Sequence, residues 1–260
     1  NGNVNGSSAN MVSWNWKAGT GQGSSNTDGS INTTYTSVNT TSGFSISQYT
    51  GTGSNATIGH GLGAVPKMII VKNTSTTDSW MVYHVGSGSN AYLHLETTNA
   101  ALSPSTAQFQ ATTPTSSLFY VGTADGTNKS SSNMIAYCFA EKTGYSKFGS
   151  YTGNGNADGK FIYTGFKPAF VLFKGSTIAE NWWMFDTKRS ESNVANDGLI
   201  ASTSNSEYSN NATFKIDILS NGFKMRSTDS FANSSGNTYI FMCFAEAPLV
   251  GSNNVPCTAR

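Results

Sequence analysis

Few side chains in this sequence of 260 residues could do acid–base, nucleophilic or metal chemistry: three His, three Cys, and 14 Asp and Glu together. His60, His84 and His94 show no His-x-x-x-His spacing and the cysteines no Cys-x-x-Cys, so a transition-metal site has little support. The Asn/Asp/Gly-rich loops 193–198 and 153–159 offer oxygen ligands that suit Ca²⁺ without matching a known calcium-loop pattern. No other cofactor is suggested. Glycoside hydrolysis needs two carboxylates about 5–10 Å apart on one sugar-binding face. Glu180 and Asp186 flank Trp182-Trp183, an aromatic pair beside acids, but strand alternation puts one Trp in the core and the other in solvent. No Gly-x-Ser-x-Gly elbow accompanies a His and an acid in a workable order. The expectation is a chain without catalysis, with Glu180, Asp186 and Asp197 as the acids a hydrolase reading would use.

The background to these residues is polar but nearly uncharged. Charged residues make up 11%, about half the usual share, and Lys+Arg (15) nearly balance Asp+Glu (14). Ser (37), Thr (31), Asn (27) and Gly (27) supply nearly half the chain. No apolar run approaches a membrane span, and no Lys/Arg cluster favours nucleic acid. Scarce helix formers, with aromatic and β-branched residues alternating with turn formers, indicate an all-β chain. The 12% aromatic content separates it from a disordered polar tract.

An internal repeat organises the elements. At an offset of 102 residues, Tyr49-Thr50-Gly51 and Gly53 fall on Tyr151-Thr152-Gly153 and Gly155, and Gly63, Pro66, Lys72 and Trp80 on Gly165, Pro168, Lys174 and Trp182. Cys138-Phe139-Ala140-Glu141 matches Cys243-Phe244-Ala245-Glu246 at a slightly larger shift. Six or seven short strands per repeat, with turns every 8–12 residues, predict two tandem antiparallel β-sandwich (jelly-roll-like) modules over 43–142 and 145–247. Segment 1–18 reads as the closing strand of a preceding module, so the chain is expected to be part of something longer; the alternative pairs strand 11–17 into the first module's sheet. Residues 19–42 read as a linker or extended segment, and 248–260 as a tail.

Within the modules, Met68-Ile69-Ile70-Val71 suits a central strand covered on both faces. Asn221-Gly222 suits a two-residue hairpin turn. The one region that could hold a short helix is 97–103. Cys138 and Cys243 occupy equivalent apolar-strand positions and read as small core residues, with Cys257 in the tail.

The run Ile58-Gly59-His60-Gly61-Leu62-Gly63-Ala64-Val65-Pro66 resembles a motif of bacteriophage tail-fibre and other virion proteins, in which a His-Gly-Leu-Gly turn and a Pro lead into a strand. The wider chain, through Tyr145 to Gly155, Tyr163 to Pro168, Ser220 to Lys224 and both Cys-Phe-Ala-Glu strands, resembles repeated domains of unknown function in structural proteins of marine bacteriophages. The resemblance implies a non-enzymatic virion appendage (tail fibre, head fibre or decoration) at the particle surface, with other virion proteins as partners. It further implies a trimer by analogy and attachment to host-surface glycan. Tyr83, Tyr92, Trp183 and Tyr208 are the expected sugar-stacking aromatics. The alternatives are a cellular adhesin or carbohydrate-binding module of a secreted protein, and a polysaccharide depolymerase.

Overall fold

A computed structural model describes residues 6–246. Its first half carries β1 (Tyr35–Asn39), β2 (Phe44–Thr50), β3 (Ala56–Gly59), β4 (Pro66–Asn73), β5 (Met81–His84), β6 (Leu93–His94), β7 (Leu118–Val121) and β8 (Asn133–Ala140). Two one-turn helices accompany them, α1 (Thr106–Phe109) and α2 (Asp125–Asn128). The second half carries β9 (Ser146–Thr152), β10 (Phe161–Tyr163), β11 (Pro168–Gly175), β12 (Trp183–Asp186), β13 (Leu199–Ile200), β14 (Ile216–Leu219), β15 (Gly222–Met225) and β16 (Thr238–Ala245). The chain is all-β, and these strands pair antiparallel throughout.

A six-stranded sheet runs β1-β2-β8-β4-β5-β6 and a five-stranded sheet β13-β12-β11-β16-β9, with smaller sheets β3-β7 and β10-β15-β14. Apart from the extra β1, the two large sheets have the same order. Strands β2, β4 and β5 stand 102 residues before β9, β11 and β12, and β8 stands 105 before β16. Pro66 and Pro168 each open a central strand at a register shift, where a residue without an N–H removes no ladder bond.

Hydrogen bonds recur at the same offsets. The Tyr49 hydroxyl donates to the Thr127 carbonyl at 2.6 Å, and that of Tyr151 to Ala232 at 2.9 Å. Buried Asn128 donates from Nδ2 to Ser54 and Gly122 carbonyls and accepts from the Thr52 N–H. Buried Asn233 does the same with Asn156, Ser227 and Asn154. In the turns so held, Gly53 and Gly155 have φ of +72° and +65°, a region that favours glycine.

Three apolar cores separate the sheets. One face of the six-stranded sheet (Tyr49, Ile69, Val71, Cys138) packs on Ile58, Phe119 and Val121 of the small β3-β7 sheet. One face of the five-stranded sheet (Tyr151, Val171, Phe173, Phe185, Tyr239, Cys243) packs on Ile162, Ile216, Ile218 and Phe223 of the three-stranded sheet. The remaining faces meet each other: Phe44, Met68, Val82 and Phe139 against Phe148, Leu172, Ile240, Met242 and Phe244. Both large sheets are thus covered on two sides, at least in part. This explains the continuous apolar runs at 68–71 and 170–173.

Several expectations are corrected. Residues 11–17 form no strand. They lie extended, with Ser13, Asn15 and Lys17 exposed and Trp14 and Trp16 turned inward. Trp16 packs edge-on against Phe139, Phe170 and Phe244, and Trp14 on Phe170. The aromatic alternation reflects a segment lying over the junction of the two large sheets. Segment 19–42 is tied to the first half: it contains β1, and Ser24 and Ile31 bridge to Thr36 and Ile58. Residues 97–103 contain no helix; they cross to the second half, where Thr98 accepts from Glu180 N and Ala101 donates to Ser176 O. The β14–β15 hairpin turns at 220–221, one residue early, with Leu219 opposite Gly222. A Cβ on Gly222 would lie 2.1 Å from the Ile162 carbonyl of the next strand, so this glycine serves close strand approach, not turn geometry.

Candidate functional site

The face of the six-stranded sheet turned toward the second half is only partly covered. Cross-strand pairing aligns its side chains in rows. Phe44, Phe139, Met68 and His84 form the innermost row, all buried. Two residues along each strand, Ser37, Ile46, Tyr137, Ile70 and Val82 form an intermediate row. Outermost are Tyr35, Gln48, Ile135 and Lys72, with Tyr35 36% exposed.

This outer margin forms a shelf with two grooves that share Ile135. One, of about 620 Å³, is lined by Lys72, Asn73, the 74–77 loop, Trp80 and Tyr137. The other, of about 330 Å³, is lined by Tyr35, Ser37, Ile46, Gln48, Ala18, Gly19, Gly21 and Gln22. Trp80 and Tyr137 stack with ring centroids 6.5 Å apart at 22°. Lys72 Nζ donates to the Asp78 carbonyl at 2.6 Å, which uses one of its three N–H donors. Burial raises the Tyr137 hydroxyl above its usual range. The result is a half-buried aromatic and aliphatic strip bordered by amides and hydroxyls, with Lys72 as the only charged side chain among the described residues that line either groove.

The corresponding strip of the second half is closed. Lys174, equivalent to Lys72, is fully buried and donates to Thr98 O at 3.1 Å and Gly175 O at 2.9 Å. Burial pushes its ammonium down to about 8, opposed by the Glu180 carboxylate. Trp182, equivalent to Trp80, is 1% exposed and donates from Nε1 to His94 O.

The four expected sugar-stacking residues do not form this shelf. Tyr83 and Trp183 are each 2% exposed. Tyr92 packs half-buried against the first core, beside His94. Tyr208 lies 5.5 Å from Trp183 and 5.3 Å from Phe214 at the margin of the second core. Trp183 and Tyr208 do meet, but as core. The expectation that one of Trp182 and Trp183 faces solvent also fails, because the five-stranded sheet is covered on both faces. The residues sequence reasoning passed over are Trp80, Tyr137 and Tyr35. A signal for Tyr137 was present: it alternates with buried Met134, Ala136 and Cys138 and so lies on the opposite face.

The hydrolase acids are engaged structurally. Asp186 accepts from Lys188 and Arg189 backbone N–H groups and pairs with Arg189 Nε at 2.7 Å. In the first half His84 holds the matching turn, Nδ1 accepting from Gly86 N. Asp197 accepts from Ser190 Oγ and Asn210 N, and Glu180 from Ser230 Oγ. None of the three lines the shelf. In the loops considered for Ca²⁺, Asp158 already pairs with Lys224 and Arg226, which lower its pKa, and Asp197 is held as above. Among the described residues no group of three His, Cys, Asp or Glu side chains could hold a metal ion. His60 is buried, with Nε2 on the Thr115 carbonyl and Nδ1 accepting from Leu62 N, a turn-holding arrangement that lowers its pKa through burial.

Cys138 and Cys243 are buried thiols, and burial raises both above the usual range. Neither is expected to react with an aromatic disulfide reagent at neutral pH until the chain unfolds. Rapid labelling of either in the native protein, assigned by peptide mapping, would contradict this packing. Cys257 lies outside the described residues and serves as an internal comparison.

The fold and shelf describe an all-β domain of antiparallel sheets that carries an open, aromatic and nearly uncharged shelf. The chain belongs to the family Domain of unknown function (DUF7483), whose model matches residues 1–248. That match includes the Trp14–Trp16 segment and both halves. No curated protein and no solved structure matches the chain.

Proposed function

We propose that the chain is a non-enzymatic structural and recognition domain that holds saccharide on the Trp80–Tyr137 shelf. The observation that carries this reading is the open strip of stacked rings and uncharged hydrogen-bonding groups; the carboxylates beside it, Glu96 and Asp78, accept from the Trp80 and Ser79 backbone N–H groups. Ring faces suit the C–H faces of sugars, and amides and hydroxyls suit their hydroxyl groups. In architecture, the chain is two tandem antiparallel β-sandwiches joined back to back. Support comes from the matching strand orders, offsets and buried Tyr and Asn hydrogen bonds.

In biological setting, we place this domain in a virion appendage used for attachment to a host surface. That placement rests on the sequence resemblance around His60 to Pro66 and at the two Cys-Phe-Ala-Glu strands. A low-charge surface of Ser, Thr and Asn suits high salt, because contacts that do not rely on ion pairs are not screened. Localising the chain on intact particles by labelled-antibody imaging tests the setting. A cell envelope location would favour the adhesin alternative, with the same shelf.

Titration calorimetry against a panel of host-surface polysaccharides tests the recognition itself. Trp80→Ala is expected to weaken binding at least tenfold, about 1.4 kcal/mol, while unfolding stability changes by less than about 1 kcal/mol, since the indole is only half-buried. Unchanged binding in the variant would remove this shelf as the site. Release of reducing ends from any polysaccharide would overturn the non-enzymatic reading.

A further inference from the structure

Resting on the saccharide reading above, we infer that the ligand is a linear, uncharged oligosaccharide of about four units laid across the strands, not a single terminal sugar. The outer row runs Tyr35, Gln48, Ile135 and Lys72 through directly paired positions of β1, β2, β8 and β4. Trp80 stands immediately before β5, the next strand of the sheet. Five neighbouring strands at the usual spacing span about 19 Å, the length of about four pyranose rings end to end. Ile135 lines both grooves, so they lie side by side on the outer row. Aromatic side chains mark both ends, Tyr35 on β1 and Trp80 before β5, and Tyr137 of the central β8 stacks on Trp80 from one row further in. Gln48 of β2 lies between them as an amide partner.

The shelf is open along its length, with no deep enclosure in which one sugar would be surrounded. Its charge sets the class of polymer. A uronic acid chain would bring about one carboxylate per unit, whereas Lys72 is the single cation among the described residues lining the two grooves and is already bonded to Asp78 O. One partly engaged ammonium does not balance several carboxylates, but it suits a ring or hydroxyl oxygen.

The test is calorimetry of the intact chain with neutral gluco-, manno-, galacto- and xylo-oligosaccharides of one to six units, plus a tetragalacturonate. For the sugar that binds, affinity is expected to rise at least tenfold from two units to four and then level off. Tyr35→Ala should weaken the tetramer several-fold and leave the dimer unchanged, whereas Trp80→Ala weakens both. A monosaccharide binding as tightly as its tetramer would overturn the extended-ligand inference and leave the saccharide reading standing. Tighter binding of tetragalacturonate would overturn the uncharged class alone. Absence of binding across the panel, with concentration-dependent self-association abolished by Ile135→Lys, would overturn both and make the shelf an interface between copies.

Discussion

Trp183→Ala is expected to lower unfolding stability by about 3–5 kcal/mol, the range for removing a large aromatic from a packed core. The indole sits in a cluster with Phe214 at 4.3 Å, Phe231 at 5.2 Å, Tyr208 at 5.5 Å and Phe185 at 6.3 Å between ring centroids. Its removal leaves a void that these rings, each held by others, fill only in part. Trp183→Phe should be far milder, about 1 kcal/mol, because Trp183 Nε1 is buried without a hydrogen-bond partner and Phe removes that unpaired donor along with some area. Urea unfolding at neutral pH measures both. A loss below about 1 kcal/mol for the alanine variant would mean that the indole is not packed as described.

Acid should weaken the fold through His84 well before carboxylates protonate. Its Nε2–H donates to the Phe241 carbonyl of the second half at 3.0 Å, and Nδ1 accepts from Gly86 N at 3.0 Å. The imidazole is therefore held neutral in one tautomer, and burial lowers its pKa from 6.5 to about 4. Phe148 flanks the ring, and its two hydrogen-bond partners are backbone groups, so no charge offsets protonation. The folded pKa lies below the unfolded one, so the unfolded chain takes up the proton first as pH falls. This contribution is complete above about pH 6.5 and is lost progressively toward pH 4, amounting to about 3 kcal/mol. Buried His60 acts in the same direction. Unfolding measured at intervals from pH 7.5 to 4.5 should show a slope that is markedly shallower in His84→Gln. Equal slopes in the two proteins would show that this ring does not report on the junction.

Much of the strand framework was legible because it depends on local rules. Pro66 and Pro168, the apolar runs behind them, and the paired cysteines located central strands, and β4 and β11 begin at those prolines. What the sequence did not disclose was which sheet faces meet. Alternation separates the two sides of a strand but does not say that both will be covered. Hence Trp183 read as a surface platform although it lies under the three-stranded sheet, and Trp182 is closed over by the first half. Strand β10 carries little periodic signal in the sequence, because it has three residues, with Phe161 and Tyr163 exposed on either side of Ile162. The shelf was hidden for a related reason. Tyr35, Tyr137 and Trp80 are far apart in sequence, and only cross-strand register aligns them.

The contrast between Lys72 and Lys174 bears on how strongly a surface could be gripped. Of two equivalent strips, one is consumed in joining the halves, so on the proposed saccharide reading the described residues offer one such strip per chain. On that reading, an open shelf of this size would hold its ligand weakly and release it quickly. Firm attachment would then come from copy number, since linking several such contacts raises effective concentration without any new interaction within a site. A lone chain should rinse off a polysaccharide-coated surface that an array of the same chains holds.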